Sequence, residues 1–184
     1  MRADAQRNYD RLLEEARQAF VVHGTDVALE DIARHAGVGI GTLYRHFPDR
    51  SALMNAVFVR ELDALAGRAR ELLEQEEPLP ALLAWLKAVA VHASAYRGLS
   101  ARIVADSDGH MLQCKTRLHD AGHTLLARAQ AAGEVRPDIA MSDLLKLTSG
   151  IITIAEQNPE DKGTYGRLMN LAVRGIVTSG DADG

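Results

Sequence analysis

The chain has 184 residues, 47% of them apolar and 25% charged, which suits one or two globular domains that bury roughly 70% of their unfolded surface. No apolar run approaches the ~20 residues of a membrane span, the charged amphipathic start does not read as a signal peptide, and a single cysteine excludes an internal disulfide, so a cytoplasmic protein with no membrane partner is expected. The net charge of −4 does not itself advertise a nucleic-acid partner; residues 1–60 balance eight Arg against eight acids and add three His, so the deficit lies wholly beyond them.

Strand signals are nearly absent, and Val and Ile fall into 3.6-residue patterns, so the chain reads as all-α with about nine helices. Helix one is predicted over 8–23, with Tyr9, Leu12, Leu13, Ala16, Ala19 and Phe20 on one face and Gly24 as its stop. Helix two, 29–36, places Leu29, Ile32, Ala33 and Ala36 at i, i+3, i+4 and i+7, and Gly37 ends it in the left-handed conformation. Helix three covers about 40–46 and stops before Pro48. Asp49 is a good N-cap for helix four, from Arg50 to about Leu73. The acidic stretch "EQEEPLP", 74–80, is the clearest internal boundary, because its two prolines interrupt helix. Beyond it come 81–96, a short turn near 100–105, and 111–132, the last with Leu112, Leu118, Gly122, Leu125 and Ala129 inward and Gly133 closing it. Two final helices follow at 142–156 and 165–178, and the tail "SGDADG" reads as frayed. The division expected is an N-terminal helical domain at 1–50, helix four (50–73) as connector, and a second domain over 51–184.

The stretch "LEDIARHAGVGIGTLYRHFPDRSAL", 29–53, carries the functional signal. Two short helices joined by a three-residue turn containing Gly match the helix-turn-helix geometry, in which the second helix enters the DNA major groove. Gly39 and Gly41 remove bulk where a helix must approach base edges. Thr42 offers a hydroxyl to bases or phosphate and a methyl to thymine. Tyr44 and His46 are suited to donate to phosphate oxygens, and Arg45 and Arg50 add charge. Leu43 and Phe47, four apart, face back into the core, and Gly37 and Val38 are structural.

Phe20, Gly24, Ile32, Ala33, "AGV" at 36–38, "GTLYRHF" at 41–47 and the Pro-Asp-Arg step into "ALM" resemble the N-terminal DNA-binding domain of the TetR family of transcriptional regulators. The resemblance covers roughly 8–58. It implies that Gly39, Ile40 and Thr42 face base edges and the groove, that Tyr44 and His46 contact phosphates, and that Arg50 stands where a Lys commonly reaches the backbone. Two positions depart from the pattern. Ala28 replaces the Thr that commonly caps helix two and touches a phosphate, and Gly39 replaces the Ser that commonly caps helix three; each lost cap costs about 1 kcal/mol, less for Gly.

The resemblance also implies a homodimer whose last two helices form a four-helix bundle with their mates. The expected interface residues are Leu144, Leu145, Thr148, Ile151, Ile152, Ala155, Leu168, Met169, Ala172, Val173 and Ile176, with Ser149, Gly150 and Gly175 allowing close approach. The middle helices would enclose a pocket for a small-molecule effector, lined by Trp85, Leu86, Val89, His92, Tyr96, Ile103, Met111, Cys114, Leu118, His119, His123 and Leu126; ordinary core packing is the competing reading of each.

His119 and His123 stand at i and i+4, a bidentate metal spacing, but no motif ties a third ligand to them, so no metal and no cofactor is expected. "ADSDGH", 105–110, lacks the spaced oxygens and terminal Glu of a calcium loop. No phosphate-binding Gly loop, GxSxG or paired-Cys motif is present, so the chain is not read as an enzyme. The reading is a ligand-responsive regulator, most often a repressor in this class, that binds a palindromic double-stranded operator as a homodimer and is released by effector. The alternative is a helical small-molecule or metal-binding protein whose helix-turn-helix is vestigial; Ala28, Gly39 and the lack of a basic excess motivate it.

Overall fold

The computed structural model describes residues 2–95 and 109–178. Eight helices occupy them: α1 (Arg2–His23), α2 (Leu29–His35), α3 (Ile40–His46), α4 (Arg50–Gln75), α5 (Pro78–Ala95), α6 (Gly109–Ala131), α7 (Met141–Gln157) and α8 (Thr164–Ile176). Among the described residues the β pairing is confined to an isolated antiparallel bridge between Val135 and Val177, and the fold is all-α as expected. The predicted turn at 100–105, residues 105–108 of the predicted loop and the tail 179–184 lie outside the described residues. No helix among those described is long and apolar enough to cross a membrane.

The chain divides into two compact units, one containing Met1–Leu62 and the other Asp63–Ser94 with Gln113–Gly184, so the division falls inside α4. In the first unit α1, α2 and α3 pack on one another. Leu12, Leu13, Ala16 and Phe20 of α1, Leu29, Ile32 and Ala33 of α2, and Leu43 and Phe47 are all buried. Full burial of each large side chain contributes about 1.5–3 kcal/mol. Arg60 of α4 donates to the Asp10 carbonyl at 3.3 Å, and Arg17 of α1 bridges Glu14 (2.6 Å) and Glu61 (3.9 Å), tying α1 to α4 within this unit.

Two boundaries differ from the sequence expectation by more than two residues. Helix α1 begins at Arg2, six residues before the predicted start, because Asp4–Arg7 and Gln6–Asp10 pairs support a stretch with no apolar face. Helix α5 begins at Pro78, so the prolines open the helix and do not interrupt it. Proline is tolerated in a first turn, where the missing N–H has no intrahelical partner. Between the prolines, the Leu79 N–H donates to the Glu134 carboxylate at 2.7 Å, and just after them the Ala81 N–H donates to the Glu77 carbonyl at 2.9 Å.

The second unit is built around Trp85. Its indole is fully buried among Leu82, Leu86, Leu125, Leu126, Met141 and Leu144, and its Nε1–H donates to the Leu65 carbonyl at 2.9 Å. Gly122 of α6 lies directly against the ring, where a Cβ would stand 2.5 Å from Cη2, 2.6 Å from Cζ3 and 3.0 Å from Met141 Sδ. Gly122→Ala is therefore expected to destabilise the protein by about 1–3 kcal/mol through overpacking. Chemical denaturation followed by tryptophan fluorescence measures it; an unchanged or higher midpoint would contradict the packing described.

Candidate nucleic-acid interface

Helix α2 starts at the N-cap Ala28, with extended backbone (φ −65°, ψ 135°) and no side-chain cap, as its methyl group dictates. It stops at Ala36 because Gly37 turns left-handed (φ +66°), a region that costs residues with a Cβ. The turn is closed by Gly37 N–H to the Arg34 carbonyl (3.1 Å) and Val38 N–H to the Ala33 carbonyl (2.9 Å). Gly39 then caps α3, again extended (φ −63°, ψ 141°) and without a side-chain cap. At the far end the Ala52 N–H donates to the Asp49 carboxylate at 2.8 Å, the cap expected of Asp49.

Helix α3 has only seven residues and two dissimilar sides. Leu43 and Phe47 point into the unit and are buried. Ile40 and Tyr44 remain 39% and 45% exposed, Gly41 and Arg45 are exposed, and Thr42 and His46 are half-buried. A Cβ at Gly39 or Gly41 would meet nothing within 4 Å, and neither residue has a positive φ, so the fold itself does not require glycine there. The helix carries no acid in its first turn and two bases, Arg45 and His46, in its last. Arg45 folds back along its own helix, donating to the Gly41 carbonyl (3.2 Å) and the Thr42 hydroxyl (3.3 Å). Tyr9 of α1 stacks on Phe47 (5.1 Å between centroids) and meets His46 edge-on (5.7 Å), which orients the imidazole. The sequence shows Tyr9 as one more residue of an apolar stripe, with no sign of that support. Arg50, half-buried, donates to the Thr25 and Val27 carbonyls.

The residues expected to line an effector pocket are dispersed. Trp85, Leu86, Cys114 and Leu126 are closely packed core; Val89, His92 and Leu118 are half-buried; His119 and His123 are exposed. Tyr96, Ile103 and the Met111 side chain lie outside the described residues. An open groove of about 320 Å³ runs along α4 and α6 instead, lined by Ala66, Ala69, Arg70, Leu73, Arg117, Asp120, Ala121 and Thr124. None of its residues was singled out from sequence, because small and charged helix positions read as solvent-facing. Among the described residues, no three His, Cys, Asp or Glu side chains come together as a metal site requires.

On the last two helices, Leu144, Thr148, Ile151, Ile152 and Ile176 are buried within their own chain. Leu145, Ala155, Leu168, Met169, Ala172 and Val173 are half-buried. The large apolar side chains left outward are Leu147 (44% exposed), Ile154 (48%) and Leu171 (65%), near Gly150 and Gly175, whose Cβ positions are open.

Residues 12–57 match the family described as bacterial regulatory proteins, tetR family, and residues 77–178 match the SbtR-like transcriptional regulator C-terminal domain. Among solved structures, the chain resembles the TetR transcriptional regulator SCO0520 from Streptomyces coelicolor, at 33% identity and a TM-score of 0.78, over 93% of this chain and 99% of that one. It also resembles a TetR transcription regulatory protein from Mycobacterium vanbaalenii, at 32% identity and a TM-score of 0.75, over 96% and 99% of the two chains. The HTH-type transcriptional regulator UidR of Escherichia coli (strain K12) is 26% identical over 192 residues, covering 97% of each chain.

His92 gives the C-terminal half a pH signature. Burial pushes its imidazole from 6.5 down to about 4, so the folded chain keeps it neutral where the unfolded chain is already protonated. Stability is therefore lost as pH falls from about 6.5 towards 4. A tenfold difference in proton affinity between the folded and unfolded chains is worth about 1.4 kcal/mol, so His92→Gln is expected to remove about 1–2 kcal/mol of the destabilisation between about pH 7 and 5. Denaturation midpoints at those two values test it, and identical pH dependence in both proteins would contradict the burial.

Proposed function

The chain belongs to the TetR family of DNA-binding transcriptional regulators, and from that premise we propose that it holds a palindromic operator as a homodimer through α3 and is released when a small-molecule effector occupies the C-terminal unit. The observation that carries the DNA reading is the outer side of α3: apolar anchors inward, no acid, two glycines the fold does not need, Tyr44 exposed and Thr42 half-buried. A glycine inside a helix costs about 0.5–1 kcal/mol relative to alanine. Close approach to a duplex is a reason to bear that cost at Gly41, and Gly39 and Ile40 then lie nearest the bases. Tyr44 and His46 donate to phosphates, with Arg45 adding charge. Ala28 brings no side-chain contact, only the backbone start of α2.

A single such module has a small footprint. Non-specific phosphate attraction gives a Kd of about 10⁻⁴–10⁻⁶ M, and specific regulators reach about 10⁻⁸ M or better. Engaging two half-sites, with centres about 34–36 Å apart or a multiple of that, bridges the difference. The outward Leu147, Ile154 and Leu171, flanked by Gly150 and Gly175 and bordered by half-buried Leu168 and Ala172, are the surface we assign to the partner subunit. The deeper residues Leu144, Thr148, Ile151, Ile152 and Ile176 shape it from beneath. Helix α4 has residues in both units and is the connector in this proposal. A coupling of about 1–3 kcal/mol between effector and operator suffices for partial release.

Three outcomes follow. In a gel shift against the DNA upstream of its own gene, Thr42→Ala and Tyr44→Ala are expected to lose specific binding with the fold retained; wild-type binding by both would overturn the assignment. Gly41→Ala is expected to raise stability by about 0.5–1 kcal/mol while weakening operator binding; loss of stability, or unweakened binding, would contradict the reading of α3. Leu171→Glu, at a site exposed in the monomer, is expected to leave the fold intact and give monomers in analytical ultracentrifugation. A dimeric Leu171→Glu protein would exclude that face.

A further inference from the structure

Arg50 is the first residue of the 26-residue helix α4, whose first turn holds no acid. A cation is disfavoured at that end of a helix dipole. Its guanidinium is already engaged: Nη1 donates to the Thr25 carbonyl at 2.8 Å and to the Val27 carbonyl at 2.5 Å, reaching back 25 and 23 residues. Both carbonyls lie in the loop between Gly24 and Ala28, which delivers the chain to α2. That loop lacks the usual restraint, because Ala28 makes no side-chain cap. Loop carbonyls need partners, and a charged donor makes the stronger bond.

We propose that Arg50 is a positioning residue for DNA binding: it clamps the 24–28 loop so that α2 begins at the correct point, and does not itself neutralise a phosphate. Since α2 packs on α3 and joins it through the Gly37 turn, a fixed start for α2 fixes the pose of α3. The clamp takes over from the missing cap at Ala28. This rests on the DNA-binding reading above.

The test is fluorescence anisotropy of the full chain against a duplex that the wild-type protein selects from a random pool, repeated over a range of salt. Alongside it, amide exchange is followed at Glu30, Asp31 and Ile32. For Arg50→Met the expected result is affinity lower by on the order of tenfold, a log Kd against log salt slope equal to the wild type's, and faster exchange at the start of α2. A slope shallower by about 0.9, the signature of one lost phosphate contact, with exchange unchanged, would overturn the proposal, as would unchanged affinity. Should the Met variant fail to fold, Arg50→Gln removes the charge and keeps a donor: an unchanged slope supports the clamp, and a slope loss of that size overturns it. A wild-type protein that selects no duplex removes the DNA reading and this proposal with it, which is distinct from a bound wild type with a shallower variant.

Discussion

A helix of seven residues has no stability of its own in water, since nucleation alone outweighs the few hydrogen bonds it gains. Helix α3 exists because Leu43 and Phe47 are buried in the first unit and because the chain on either side of it is fixed. Upstream, the left-handed Gly37 and the Val38–Ala33 hydrogen bond set its starting direction; downstream, Asp49 caps α4. Tyr9, stacked on Phe47, extends the anchorage to the last turn, where His46 sits. With its inner side held in this way, the outer side is free to be chosen for something other than stability. The glycines at 39 and 41 and the absence of acid are what that freedom has been used for.

The second unit has a different physical character. It is organised by one large ring whose polar edge is satisfied by the Leu65 carbonyl and whose face lies against Gly122. Such a core is closely packed and transmits displacement, because it has little void to absorb it. The residues that sequence reasoning gave to an effector pocket include several of the ring's own neighbours, Leu86 and Leu126 among them. Val89, His92 and Leu118 of the same set are half-buried around that packed centre.

Local rules were readable and long-range ones were not. Gly37, Asp49 and the inward pair Leu43–Phe47 follow from turn chemistry, capping and a four-residue spacing, and all stand in the structure as expected. The start of α1 escaped because a charged stretch held by i,i+3 and i,i+4 pairs has no apolar period to detect. The opening of α5 escaped because proline breaks a helix only beyond its first turn. On α7 the period identifies an apolar helix but not which side its own chain covers; Leu147 and Ile154 became visible as outward only once Leu144, Ile151 and Ile152 were seen buried. Arg50 reads in sequence as a residue that reaches the DNA backbone, because its two carbonyl partners are more than twenty residues away. Trp85 and Leu126 have the composition of a pocket wall and of a core alike, and only packing tells the two apart.

The central claim is that the outer side of α3 meets a duplex. Amide chemical-shift mapping of the labelled protein, titrated with a duplex it selects from a random pool, tests this most directly. The expected perturbations fall at Gly39, Ile40, Gly41, Thr42, Tyr44 and Arg45, with the amides around Leu147 and Leu171 largely unmoved. Perturbation centred on another surface, with the α3 amides unshifted at saturation, would contradict it.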